Sequence, residues 1–341
     1  MVMVLVGTLV GISRPNSSEN SRSPYLNEIQ KTAIIKKASY NEAISKISGK
    51  SDWKPNGWGS GEYLTTIPKI KAGAVVDLDS GEVFWSMNLV EKIAPASLSK
   101  LATVMTALDI APPDKTLQIS AEAAGQIPTK LGLAAGEKLT LEEAISASIL
   151  TSANDATEAI SDSLGKEIGV GTSTFMELVN KKLAKIGASD SHFETSTGLD
   201  SDNHWSTVYD LAIIAHEARK YDLIREVASL SYKKLPANTN HRLIDLPNWN
   251  ALLGTYPGVD GLKIGYTEEA GHATVVTASR EGENLVAIVI GAKSLEEREE
   301  AAATLLNYGF EKKGIEAYPV SDLNLTARFE DWRRQLTFGG P

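Results

Sequence analysis

From about residue 63 onward, short apolar runs of strand length give way to long stretches of helical period and then return. Residues 72–77 and 82–87 are apolar-rich runs on either side of Asp79-Ser80-Gly81, a turn signal, and they predict a β-hairpin. Apolar residues then recur at helical spacing through 98–110, 140–150, 155–164, 174–186 and 207–220, predicting a largely helical region between about Ser97 and Lys220. Strand-like runs return at 261–267, 272–280 and 285–292, the last two joined by the turn signal Glu281-Gly282-Glu283-Asn284. Residues 295–310 close the pattern with a helix that is charged on one face and apolar on the other. Two strands, a helical insertion, three strands and a final helix predict an α+β fold: one antiparallel five-stranded sheet flanked by helices, with the large helical insertion between its second and third strands.

The region before residue 63 has a different texture. Residues 1–12 are continuously apolar, too short to span a bilayer and preceded by no Lys or Arg. They read either as an N-terminal strand or tag remnant, or as a residual signal or membrane anchor, and the polar, tether-like stretch after them favours the anchor. Leu26, Ile29, Ile34, Ile35, Ala43, Ile44 and Ile47 give residues 25–47 a helix-like period, and residues 48–60 are Gly-, Pro-, Trp- and Asn-containing linker. The expected organisation is a residual anchor over 1–12, a polar linker with one amphipathic helix over 13–62, a folded domain over 63–315 and a short tail over 316–341. The 341-residue chain is long enough to bury a sizeable core. Its net charge of -9 argues against nucleic acid as a partner, and the absence of cysteine excludes disulfides and thiolate-bound zinc.

Three segments could carry chemistry. Ser97-Leu98-Ser99-Lys100 opens an apolar helical run, so Lys100 returns beside Ser97 on one face. There the free N–H groups of a helix start could meet an oxyanion, and a desolvated lysine could act as base towards the hydroxyl. Ser-x-x-Lys is weak by itself: Ser51/Lys54, Ser163/Lys166 and Ser231/Lys234 also fit, and an N-cap Ser with a surface Lys explains the pattern equally. Ser152-Ala153-Asn154 lies between two helical runs, where it could enter a cleft or simply cap the following helix. Lys263-Ile264-Gly265-Tyr266-Thr267 is strand-like, with glycines at 261 and 265 suggesting close backbone approach; an edge strand guarded by a lysine is the competing reading.

Taken in order, Ser97/Lys100, Ser152/Asn154 and Lys263/Gly265 resemble the motif set of penicillin-binding proteins and serine β-lactamases. The likeness covers about residues 67–314. It is strongest to low-molecular-mass D-alanyl-D-alanine carboxypeptidases, through Pro95-Ala96-Ser97, Ser152-Ala153-Asn154-Asp155-Ala156, Gly198-Leu199-Asp200, Asp260-Gly261-Leu262-Lys263 and Gly265-Tyr266-Thr267-Glu268-Glu269-Ala270-Gly271.

This resemblance implies a DD-peptidase/β-lactamase-like fold and a serine D-alanyl-D-alanine carboxypeptidase acting on peptidoglycan stem peptides outside the cytoplasm. It implies Ser97 as nucleophile, Lys100 as base, Ser152 as proton relay, Asn154 and Lys263 as substrate contacts, and the N–H groups of Ser97 and Tyr266 as oxyanion hole. β-Lactams are the expected covalent inhibitors, and no metal or organic cofactor is required. The pattern departs from the family at one position, where Lys263-Ile264-Gly265 replaces Lys-Thr-Gly; Ile cannot supply the usual hydroxyl, and Thr267 is a candidate to compensate. The length after residue 314 is also too short for the additional all-β domain that many such enzymes carry. A DD-endopeptidase on cross-linked peptidoglycan, and a non-catalytic peptidoglycan-binding homologue, are the alternatives. A β-lactamase is disfavoured because no Glu-x-x-x-Asn occurs between Asn154 and Lys263.

Overall fold

The structure is a computed structural model that describes residues 24–49, 52–59 and 67–339. In chain order it contains α1 (Pro24–Lys46), β1 (Ala72–Asp77), β2 (Val83–Met87), α2 (Lys100–Ile110), β3 (Thr116–Gln118), α3 (Ala121–Ala124), β4 (Lys138–Thr140), α4 (Leu141–Leu150), α5 (Asn154–Ile168) and α6 (Thr172–Ile186). There follow α7 (Val208–Ala218), α8 (Asp222–Ser229), β5 (Tyr232–Leu235), β6 (Ile244–Pro247), β7 (Val259–Thr267), β8 (Gly271–Arg280), β9 (Glu283–Ala292), α9 (Leu295–Lys312) and α10 (Leu325–Gly339). The main sheet is five-stranded and antiparallel in the order β2-β1-β9-β8-β7, so the helical insertion between β2 and β7 separates its two outer strands.

The near-continuous apolar run of β1 reflects burial on both faces of the sheet. Ala72, Ala74 and Val76 point into the core shared with the helical region, joined by Val286, Ile288 and Ile290 of β9. Val75, Ala287 and Val289 point the other way, into a second core closed by Ala302, Leu305 and Leu306 of α9. Helix boundaries follow local chemistry. Thr140 and Glu143 exchange side-chain and backbone hydrogen bonds in a capping box that starts α4, and Ser294 accepts from the Glu297 N–H to start α9. The two-stranded sheets β3–β4 and β5–β6 and the helices α3 and α8 are too short to register as a period in the sequence.

The flanking segments differ from expectation. The apolar residues 1–12 and the polar stretch to residue 23 lie outside the described residues. Helix α1 exists, but its apolar positions do not form one buried stripe: Ile34 and Ile35 are exposed, whereas Ala43 and Ile47 pack against Ile168 and Leu178. Residues 52–59, expected to be linker, are docked. The Asn56 N–H donates to Gly81 O at 2.8 Å, its carbonyl accepts from Val83 N–H at 3.0 Å, and Trp53 stacks on His216 at 4.1 Å. The tail after residue 315 also folds back, because α10 buries Phe329 and Trp332 in the core beside α9.

The end of α1 is fastened by one buried cation. Lys182 Nζ donates to Ser48 O at 2.9 Å, Ser48 Oγ at 2.7 Å, Asp109 Oδ2 at 3.0 Å and Tyr221 OH at 2.6 Å. Both side chains of the Lys182–Asp109 pair are buried. Replacing Lys182 by Met leaves the Asp109 carboxylate buried without its cation, a defect worth roughly 3–5 kcal/mol. The thermal unfolding midpoint of Lys182→Met, followed by circular dichroism, is therefore expected to fall by on the order of 10 °C.

Candidate active site

Ser97 sits in a 3-10 turn, Ala96–Ser99, that runs directly into α2, so the α-helix begins later than residue 98. The preceding Ala96 is fully buried with φ 49, a left-handed conformation that costs an alanine on the order of 1 kcal/mol or more. Gly198 makes room for it: a Cβ at that glycine would lie 2.2 Å from Ala96 O. Neither terminus is a side-chain cap; the turn follows Pro95, and Ser99 at the start of α2 makes no capping hydrogen bond. Lys100, expected at the surface if Ser97 were only a cap, has no exposed area.

The Lys100 ammonium joins segments far apart in the chain. Nζ donates to Ser97 Oγ at 2.7 Å, Asn154 Oδ1 at 2.8 Å and Thr197 O at 2.6 Å. Ser97 Oγ in turn donates to Thr197 O at 3.2 Å. Burial pushes the Lys100 pKa down to about 7, although the Asp155 carboxylate opposes the shift. The neutral amine, which can take a proton, is thus well populated near neutral pH.

Asn154 is the first residue of α5 and no cap, since the cap position is Ala153, with no side-chain bond. Besides accepting from Lys100, Asn154 donates through Nδ2 to Ile127 O at 3.0 Å. Asp155 holds the same loop by accepting from the Leu131 and Leu133 N–H groups at 3.1 and 3.0 Å. Ser152 lies in the α4–α5 connection, buried and at φ 58, and its hydroxyl is not among the hydrogen-bond partners of Lys100 Nζ.

The third segment is β7, an outer strand of the sheet. Gly265 brings it against the turn that carries Ser97: a Cβ there would stand 2.9 Å from Ser97 N and 3.0 Å from Ala96 Cβ. Lys263 is buried, which excludes a guarding role at an exposed edge. Its Nζ donates to Ile264 O at 2.7 Å, and burial, followed by the charges of Lys100 and Arg298, holds its pKa well below the usual lysine range. Tyr266 keeps its side chain 57% exposed and packs on His272 at 4.6 Å. Thr267 Oγ1 accepts from the Ala270 N–H at 3.1 Å, closing the β7–β8 turn.

Three contributors escaped the sequence reading. Thr197 supplies only a backbone carbonyl, which no side-chain pattern announces. Its neighbour Ser196 is held from both sides, donating from Oγ to Glu158 Oε2 at 2.6 Å and accepting at its carbonyl from Thr103 Oγ1 at 3.1 Å. Arg298 sits on the buried stripe of α9, in register with Ala302 and Leu305. An arginine at an apolar-stripe position was the available signal. Its guanidinium shares a cavity with Ile264 and donates to Trp249 O at 3.2 Å and to Glu299.

The chain is 33% identical over 263 residues to the D-alanyl-D-alanine carboxypeptidase DacF of Bacillus subtilis, covering 75% of this chain and 65% of that one. It spans a little under two thirds of the length of the curated relatives it matches. A Streptomyces DD-transpeptidase has the same fold, with TM-score 0.66 and 24% identity over 72% of this chain and 100% of that one. Penicillin-binding protein D2 of Listeria monocytogenes, solved in an ampicillin-bound form, aligns with TM-score 0.59 and 28% identity over 75% of this chain and 100% of its own. The sequence pattern described as D-alanyl-D-alanine carboxypeptidase matches residues 63–294, which contain Ser97, Lys100, Asn154 and Lys263, and the chain belongs to that family.

Proposed function

We propose that the chain is a serine D-alanyl-D-alanine carboxypeptidase that removes the terminal D-alanine of peptidoglycan stem peptides through an acyl-enzyme on Ser97. The observation that carries this reading is the buried Lys100 amine 2.7 Å from Ser97 Oγ, with its pKa lowered to about 7. Neutral Lys100 takes the Ser97 proton as Oγ attacks the carbonyl between the last two residues. The N–H groups of Ser97 and Tyr266 stabilise the resulting oxyanion, each such donor contributing roughly 3–4 kcal/mol. Ser152 relays the proton to the departing nitrogen as the C–N bond breaks, and Asn154 orients Lys100 and the peptide. Water then attacks the ester, giving a proton to Lys100 as its oxygen bonds to the carbonyl carbon; Lys100 passes that proton to Ser97 Oγ as the acyl–oxygen bond breaks, which restores the hydroxyl and the neutral amine.

Arg298 is the natural partner for the substrate's terminal carboxylate, because a guanidinium keeps its charge when buried. Lys263 regains its charge as that anion approaches. β-Lactams enter as acylating inhibitors. A peptidoglycan substrate places the work outside the cytoplasm, with the apolar residues 1–12 supplying membrane attachment in this reading. Among the described residues no helix is long and apolar enough to cross a membrane.

The direct test is mass spectrometry of the intact protein after benzylpenicillin treatment. One covalent adduct per chain, absent in Ser97→Ala, is expected; an unmodified native protein would overturn the reading. Because the neutral form of Lys100 is the base, its population falls as pH drops below its pKa. The acylation rate constant should therefore lose roughly tenfold per pH unit below about 7 and level off above it. Stopped-flow labelling with a fluorescent penicillin between pH 5 and 9 measures this, and a flat profile would remove Lys100 from the role. Replacing the usual hydroxyl by Ile264 forfeits a hydrogen bond to a charged group worth about 1.5–3 kcal/mol. Ile264→Thr is expected to raise the acylation rate roughly tenfold or more, and no gain in that assay would refute the assignment.

A further inference from the structure

Ile264 does more than remove a hydroxyl. With Trp249, Leu295, Phe329 and Trp332 it lines a cavity of about 580 Å³ whose polar lining comes from His272, Lys293, Ser294, Glu296 and Arg298. That volume far exceeds what the methyl group of alanine fills. Several hydrogen-bond donors in its wall have no partner among the described residues: Arg298 Nε, Trp249 Nε1 and Trp332 Nε1, with His272 Nδ1 beside them. Arg298 is 1% exposed and Trp332 8%, so the cavity is the route by which a partner could reach them. Glu299, the ion-pair partner of Arg298, is not part of the lining, which leaves one side of the guanidinium to the cavity. The wall is largely apolar, and beside the Glu296 carboxylate it carries two cations, Arg298 and Lys293, suited to an anion.

Its position relates it to the reacting centre. Gly265 abuts the Ser97 amide, and Ile264 is its neighbour on β7, about 3.3 Å along the strand and on the opposite face. A peptide laid along the free edge of β7 extends the sheet, and its successive side chains turn to alternate faces. The residue whose carbonyl meets Ser97 then turns to one face, and the next residue, the one that departs, turns towards Ile264 and the cavity.

Building on the carboxypeptidase reading, we infer that this cavity receives the departing residue, its carboxylate at Arg298 and its side chain among Ile264, Phe329 and Trp332, and that beyond the terminal D-alanine of stem peptides the site also releases bulky apolar D-amino acids, with a higher kcat/KM. A threonine at 264 and a site lacking α10 would offer a smaller and more polar surface there. In this chain the aromatic residues of α10 build the outer wall, so selectivity for the departing residue resides partly in a helix outside the catalytic segments.

The experiment uses the full chain and synthetic acyl-L-Lys-D-Ala-D-X peptides with X as alanine, leucine or phenylalanine, measuring released D-amino acid by chromatography. The expected kcat/KM for X as leucine or phenylalanine exceeds that for alanine on the order of tenfold, the scale on which an apolar pocket discriminates a few methylenes. Ile264→Thr and Trp332→Ala should each shift this ratio towards alanine, and the milder Ile264→Val and Trp332→Phe should largely keep it; fluorescent-penicillin labelling of every variant reports a folded site. Preference of the wild type for alanine, an unchanged ratio in labelled Ile264→Thr and Trp332→Ala, or penicillin labelling with no peptide cleaved would each overturn the inference. Failure of penicillin to acylate Ser97 would instead overturn the carboxypeptidase reading itself.

Discussion

The site depends on one buried amine. Lys100 Nζ is removed from water and compensated by Ser97 Oγ, Asn154 Oδ1 and Thr197 O, groups drawn from the 3-10 turn before α2, from α5 and from the strap before α7. An ammonium in that environment is costly, which lowers its proton affinity, and the same desolvation requires all its partners to be in place. Asp155 moderates the penalty without touching the amine, because its oxygens are committed to the Leu131 and Leu133 N–H groups. Glu158 acts at one remove, fixing Ser196 and through it the Thr197 carbonyl.

The sheet supplies the opposite wall. Burial of β1, β8 and β9 between two cores makes a rigid platform, while the edge position of β7 leaves a strand free to face the helical region. The turn that carries Ser97 is approached closely from two sides, by residue 198 in the strap before α7 and by residue 265 on β7, because both lack side chains: a Cβ at either would collide with that turn. The left-handed Ala96 and Ser152 stand at the same junction, where backbone strain is tolerated because the surrounding contacts leave no alternative.

On the far side of β7 the chemistry changes character. Arg298 brings a permanent charge to the base of an apolar cavity, and α10 supplies aromatic walls where the family pattern would place a hydroxyl on the strand. The substitution at 264 is therefore compatible with its surroundings, since Ile264 faces the same cavity as Trp249, Phe329 and Trp332.

Much of this was legible in the amino-acid order. The strands β1, β2, β7, β8 and β9 and the longer helices announce themselves by period, because burial on one face or both forces apolar residues to recur at fixed spacing. Ser97 and Lys100 are placed together by helical geometry, and their order with Asn154 and Lys263 identifies the family. Tertiary structure decided what local pattern cannot encode: that Lys100 is buried instead of solvated, that Asn154 grips it instead of capping a helix, and that an ordinary carbonyl at Thr197 completes its coordination. It also decided that residues 52–59 and α10 pack on the domain, and that Arg298 shares a cavity with Ile264. The reason is physical: period reports which face of an element is buried, whereas burial of a charge and the company it keeps are properties of contacts between elements distant in the chain.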